Sequence, residues 1–203
     1  MKLVIGINGF GNWEKYTEPC LRSIFEHERE ANVICVDNHS SPPYPTYPPA
    51  QIVRTKQICY AAMMNMIVNL EPDADWYLIL NNDTLCHGKF IDDIEKLKKD
   101  TNYGARILVA LDGRGYIETW MILFSRWAYN RIGPWDEKFE ACGFEDADWG
   151  FRASEAGIKQ ELLPNFPFSH LGGSRWDTSG YGGIRAKNKE YLMQKHGNLA
   201  VVS

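Results

Sequence analysis

Three short apolar runs constrain this chain more than anything else in it: residues 2–8 (KLVIGIN), 32–37 (NVICVD) and 75–81 (DWYLILN). Each reads as a buried strand, and each closes on an asparagine or aspartate. Helical patterns separate them. Residues 16–28 carry Cys20, Leu21, Ile24 and Phe25 at helical spacing, behind Thr17 and Pro19 as start signals. Residues 56–70 set Ile58, Ala61, Ala62, Asn65 and Met66 along one side. Further strands are expected at 51–54, 105–111, 116–124 and 159–163, and further helices at 89–100, 125–132 and 188–196. Strand and helix alternate, so the fold class is α/β, with a mostly parallel central sheet flanked by helices. With 203 residues, one domain with a full core is the natural count.

In open parallel sheets, ligands bind beyond the carboxyl ends of the strands. The residues there are Asn8, Asp37 and the run Asn81-Asn82-Asp83. An aspartate in such a place accepts from a base N–H or a ribose hydroxyl, but it also closes an ordinary Asx-turn. The residue types alone leave both readings open. The first strand runs into Gly9-Phe10-Gly11, and GINGFG imitates the dinucleotide fingerprint of a dehydrogenase, with Asp37 as its ribose acid. Glu14 stands where the third glycine belongs. A carboxylate there faces a pyrophosphate and spoils helix–strand packing, so the dehydrogenase reading fails.

The second half holds the densest chemistry. Residues 133–157 read GPWDEKFEACGFEDADWGFRASEAG. Glu145, Asp146 and Asp148 stand at the start of an amphipathic helix, whose dipole favours negative charge. Asp148 and Arg152 are spaced to pair on it. Taken alone, the acids simply cap a helix. His170, near an apolar strand, is by itself more often a packed core residue than a ligand. Residues 42–49 (PPYPTYPP) read as a stiff connector, with Tyr44 or Tyr47 able to cover a ligand and a plain strap as the default. The methionines at 63, 64 and 66 read as core. Residues 89–100 form a surface helix that suggests packing only.

Trp135-Asp136-Glu137 with Phe139, then Gly143-Phe144-Glu145-Asp146, Asp148, Arg152 and Gly157, resemble the acceptor-side segment of family-2 glycosyltransferases of the GT-A fold. Asp37-Asn38-His39-Ser40-Ser41 is similar to that family's nucleotide-base segment, and Asn81-Asn82-Asp83 to its form of the Asp-x-Asp signature. The resemblance covers nearly the whole chain, weakly at 9–16 and 42–49. It implies a single GT-A domain: a Rossmann-like nucleotide half over about 1–84 and an acceptor half over about 85–203. It implies a nucleoside-diphosphate-sugar donor of UDP or dTDP type, held by Asn8, Asp37, Arg54, Lys56, Asn81, Asn82 and Asp83. Asp83 and His170 become ligands of Mn²⁺, or of Mg²⁺, with imidazole leaning toward manganese. Asp146 becomes the base, with Glu145 or Asp148 orienting the acceptor, and inversion is the expected stereochemistry. Thr119-Trp120-Met121 would flank the sugar pocket. Arg175 and Trp176 become a flap over diphosphate and sugar. The acceptor expected is a glycan or glycoconjugate, with a protein or modified nucleobase as further options.

A net charge of −4 gives no reason to expect general nucleic-acid binding. Five cysteines, without a C-x-x-C pair, point to free thiols in a reducing compartment, hence a cytoplasmic protein. Neither a signal peptide nor a transmembrane run is visible, so a compact soluble enzyme is expected. Two other classes compete. A nucleotidyltransferase wants a Gly-rich basic loop after the first strand, where this chain has Glu14 and a single Lys15. A non-catalytic sugar- or nucleotide-binding protein remains the other alternative.

Overall fold

A computed structural model of the chain describes residues 1–99, 106–111, 117–162, 166–172 and 182–197. The elements in order are β1 (Leu3–Gly9), a π-helical turn (Trp13–Thr17) running into α1 (Glu18–His27), β2 (Val33–Asn38), β3 (Gln51–Thr55), α2 (Tyr60–Leu70), β4 (Trp76–Asn81), β5 (Thr84–Cys86) and α3 (Ile91–Lys99). Then follow β6 (Arg106–Leu111), β7 (Ile117–Ser125), α4 (Arg126–Ile132), α5 (Glu145–Glu155), β8 (Lys159–Leu162), β9 (Phe168–His170) and α6 (Gly182–His196). Seven strands form one sheet in the order β3-β2-β1-β4-β7-β6-β8, and β5 with β9 forms a small antiparallel pair. Within the large sheet only β7 runs against its neighbours. The expected mostly parallel sheet flanked by helices is therefore present.

The period-2 alternation of each strand builds two cores. Val4, Ile34, Val36, Tyr77 and Ile79 face α2, α4 and α5. Ile5, Ile7, Val33, Cys35, Leu78 and Leu80 face α1 and the start of α3. Every residue of β1 and β2 is buried, as a strand covered on both faces must be. Met63 and Met64 lie in the first core, so the methionine face is packing.

Several boundaries differ from the sequence expectation for local reasons. Helix α2 begins four residues later than its pattern, at Tyr60. Asn38 explains this: its Nδ2 donates to the Ile58 carbonyl at 2.9 Å and its Oδ1 accepts the Ile58 N–H at 2.8 Å, holding that segment extended. Ser125 is the N-cap of α4, accepting the Ala128 N–H at 3.1 Å. Strand β5 is three residues long and exists through its pairing with β9, so no period could announce it.

The Pro-rich segment is a strap across the second core. Tyr44 is buried in it, with the Trp13 ring 5.0 Å away and that of Tyr47 5.7 Å from Trp13. Tyr44 packs against β1 at Gly9, where an added Cβ would sit 2.6 Å from Tyr44 Cε2. Gly9 thus makes room for an aromatic ring of this chain, which is why GINGFG holds a glycine without being a dinucleotide fingerprint. Gly9→Ala should destabilise the protein by roughly 1–3 kcal/mol through overpacking; chemical denaturation checks this, and an unchanged midpoint would show that Tyr44 moves aside without cost.

Candidate active site

The order β3-β2-β1-β4 reverses direction at β1, so chain segments leave its two sides in opposite directions and open a crevice at the carboxyl ends of β1 and β4. Register lines up the polar residues there. Asn8 pairs with Asn81, Asp37 with Gly9, and Arg54 with Asp37.

Asp37 is wholly buried, and protein donors occupy its carboxylate. Its Oδ1 accepts the Ser40 N–H at 2.9 Å; its Oδ2 accepts the Tyr44 N–H at 3.1 Å and Arg54 Nη1 at 2.7 Å. Arg54 also donates to the Ser40 carbonyl at 3.0 Å and keeps its side chain exposed. Lys56 is exposed beyond β3. Asn82 turns inward and donates to Thr17 Oγ1 at 2.9 Å. Asn81, only half-buried, accepts from the Tyr60 hydroxyl at 2.8 Å, which turns its amide nitrogen outward. Asn8 donates to Met64 Sδ at 3.2 Å, and its Oδ1 is buried with no partner among the described residues.

Asp83 and His170, 87 residues apart, come together: His170 Nε2 lies 3.0 Å from Asp83 Oδ1. The β5–β9 pair brings this about, since Thr84 stands opposite His170 and the Leu171 N–H donates to the Asp83 carbonyl at 2.9 Å. The Trp120 ring stacks on the imidazole, with centroids 5.1 Å apart and planes 2° from parallel. Asp83 is buried and His170 partly so. Among the described residues no cluster of three or more His, Cys, Asp and Glu forms a metal cage. The pair nonetheless suits a divalent cation. The two atoms are within hydrogen-bond distance, and carboxylate with imidazole is a donor set that manganese would accept.

The acidic helix enters from the other side, and α2 positions it. Asn65 Oδ1 accepts the Trp135 N–H at 2.9 Å while its Nδ2 donates to the Trp135 carbonyl at 3.0 Å and to Glu137 Oε1 at 2.8 Å. The Tyr60 N–H donates to the Ala141 carbonyl at 2.6 Å. Trp149 Nε1 donates to the Gly133 carbonyl at 2.9 Å, closing the turn from below. Glu145 and Asp146 are thereby set close enough to Tyr60 to act on its phenol electrostatically. Burial, helped by those charges, raises the pKa of that phenol. Tyr60 touches both sides of the crevice, and the sequence reading missed it; it lies within a run of core residues with nothing to mark it.

The three acids have different surroundings. Glu145 is buried, and its Oε2 has no partner among the described residues. Burial first, then the Asp146 charge, pushes its pKa up to about 8, against the pull of backbone N–H groups and Arg185. Asp146 is half-buried at the helix start and accepts its neighbour Ala147's N–H at 2.8 Å. Asp148 faces α6, away from the crevice. Wholly buried, it takes Arg152 Nε at 2.9 Å, Lys195 Nζ at 2.7 Å and His196 Nε2 at 2.8 Å. Burial alone would raise its pKa; Lys195, His196 and Arg152 outweigh that and hold it below the usual range. The expected Asp148–Arg152 pair forms, and its place is the joint between α5 and α6. Arg175 and Trp176, and the turn at 112–115, lie outside the described residues.

No protein-family profile and no curated protein matches the chain. Solved structures do. S. aureus TarS superposes with a TM-score of 0.62 at 13% identity, over 83% of this chain and 36% of that one. TarS 1–349 in complex with UDP gives 0.61 at 14%, over 83% and 59%. GalNAc-T7 with UDP, GalNAc and Mn²⁺ gives 0.71 at 10%, over 95% and 47%. The chain shares the fold of these proteins. It spans between about a third and three fifths of these proteins' lengths. All five cysteines are free, and among the described residues no helix is long and apolar enough to cross a membrane.

Two predictions test these environments. Asp148 contributes stability that is full above the ordinary aspartate value near ~4 and lost as pH falls through its lowered folded value. Asp148→Asn takes from Arg152 the carboxylate it pairs with and leaves Lys195 with Asp136 alone, so it should cost roughly 3 kcal/mol at neutral pH, with the gap narrowing in acid; urea unfolding at both pH values checks it. Glu145 behaves oppositely: stability is full below its ordinary value of 4.5 and lost as pH rises through about 8. Glu145→Gln stays neutral, so its Tm advantage over wild type should be smallest near pH ~4 and largest above pH ~8, as differential scanning fluorimetry across that range will show.

Proposed function

We propose that this chain is a metal-dependent, inverting glycosyltransferase of family-2 type. It moves a sugar from a UDP- or dTDP-linked donor to an acceptor hydroxyl on a glycan or glycoconjugate. The observation that carries this reading is the meeting of Asp83 and His170 beside the β1–β4 crevice. The Glu145–Asp146 pair lies beyond Tyr60 on the side of α5. Asp83 and His170 are the residues that would hold Mn²⁺ or Mg²⁺. When bound, the ion supplies positive charge beside a departing diphosphate.

The remaining roles belong to the chain's own groups. Asn81 offers its amide N–H groups to a ribose or sugar oxygen, because Tyr60 occupies its carbonyl. Arg54 offers guanidinium donors at the far end of the crevice, braced by Asp37. Asp146 is the base: it takes the proton of the acceptor hydroxyl as that oxygen bonds to the sugar's anomeric carbon and the bond to the diphosphate breaks. Glu145, pushed toward its neutral form by burial and by the Asp146 charge, is placed to donate a hydrogen bond beside Asp146. Asp148 is a brace for α5. A protein or modified nucleobase as acceptor is compatible with the same chemistry.

Calorimetric titration of UDP, dTDP, GDP and CDP with Mn²⁺ tests this. One diphosphate should bind in a metal-dependent way, and Asp83→Ala should weaken it by more than the ~100-fold scale at which even outer-shell partners of a metal act. Asp146→Asn should keep that binding and lower donor turnover by about 10²–10⁴-fold. Binding that is unchanged in Asp83→Ala would sink the metal assignment; binding without any turnover in wild type would favour a non-catalytic nucleotide-binding protein.

A further inference from the structure

A chain of hydrogen bonds, largely buried, runs beneath the crevice and ends on Arg54 at its edge. Asn82 Nδ2 donates to Thr17 Oγ1 at 2.9 Å, Thr17 Oγ1 donates to the Tyr44 hydroxyl at 2.9 Å, and that hydroxyl donates to the Gly11 carbonyl at 2.7 Å. From Gly11 it continues: the Gly11 N–H donates to Ser40 Oγ at 2.8 Å, and the Ser40 N–H donates to Asp37 Oδ1, whose other oxygen holds Arg54. The relay thus ties together the carboxyl ends of β4, β1, β2 and β3. Asn82 lies directly before Asp83, and Arg54 is at the opposite end.

We propose that Tyr44 is a positioning residue for the nucleotide cleft, its hydroxyl locking the Gly9–Gly11 turn to the Asn82 amide so that both walls of the crevice are set before a ligand arrives. This rests on the donor-binding reading above. Three features single out Tyr44. Its hydroxyl touches Thr17 and Gly11 together, with Asn82 Nδ2 at 3.4 Å as well, so it is the junction of the relay. Gly11 adopts φ 59°, which glycine takes without strain, and both its N–H and its carbonyl belong to the relay. The ring itself is fixed independently, against Gly9 and Trp13. Burial pushes the phenol up to about 12, so the hydroxyl keeps the proton it donates at any ordinary pH. The Pro-rich segment, which the other roles leave unused, is then the scaffold that delivers this hydroxyl.

Tyr44→Phe retains the ring and removes only the junction, and Thr17→Val interrupts the same relay one bond away. Two readouts apply to wild type, each single variant and the double variant. The first is amide hydrogen exchange at residues 9–12 and 82–84, which needs no ligand: exchange should rise there in Tyr44→Phe and not in the strands behind. The second is calorimetric affinity for whichever of UDP, dTDP, GDP and CDP wild type binds with Mn²⁺: each single variant should lose about tenfold, and the double variant no more than either. Unchanged exchange at those residues overturns the proposal, as does wild-type affinity in Tyr44→Phe or strict additivity of the two variants. If wild type binds no diphosphate, the donor reading fails, and exchange alone then decides whether Tyr44 holds the turn.

Discussion

Parallel hydrogen bonding of β1 to both β2 and β4 is the constraint on which the rest of the molecule depends. Parallel neighbours share a direction, so all their carboxyl ends open on one edge. Buried on both faces, such strands must be apolar along their length, and polarity is admitted only where they end. The chain leaves β1 toward β2 on one side and reaches β4 on the other only through β3 and α2, so the strand order reverses at the gap between β1 and β4. That gap is the crevice, and register alone sets Arg54, Asp37, Gly9, Asn8 and Asn81 along it.

Helix α2 joins this edge to the second half of the protein. It carries Tyr60 on Asn81, the Tyr60 N–H on Ala141 and Asn65 on both backbone groups of Trp135. Amide side chains that match a peptide's donor and acceptor together act as an added backbone pairing, and they fix orientation as well as distance. The acidic start of α5 is thereby held at a set place relative to β4, although no strand links them directly.

Glu145 and Asp148 show how completely surroundings decide the behaviour of a carboxylate. They lie one helical turn apart and are both buried, yet their pKa values move in opposite directions. Asp148 meets Arg152, Lys195 and His196, so its charge is compensated. Glu145 has another acid as its nearest electrostatic neighbour, and its charge is penalised. One therefore braces two helices, and the other is pushed toward its neutral, hydrogen-bonding form. The same contrast separates Asn81 from Asn82, adjacent residues of one motif: the first faces the crevice and the second anchors a buried relay.

Much of the architecture was legible in the chain itself. Apolar runs such as NVICVD have one low-energy fate in water, which is burial as strands. The residues that end them are then forced to a common edge, so Asn8, Asp37 and Asp83 could be named as edge residues without coordinates. The 3.6-residue spacing of α1 and α2 likewise follows from which side chains must leave water. What only the tertiary structure decided is the partner of each polar group, because those partners arrive from distant segments. Asp37 is taken by Arg54 and the strap, Asp148 by α6, and Asp83 by His170 through a strand pair too short to carry a period. Tyr60 was unmarked for the same reason, and Tyr44 stood out only as a ring able to cover a ligand: an aromatic residue looks like core in any pattern, and only the fold shows where its hydroxyl ends.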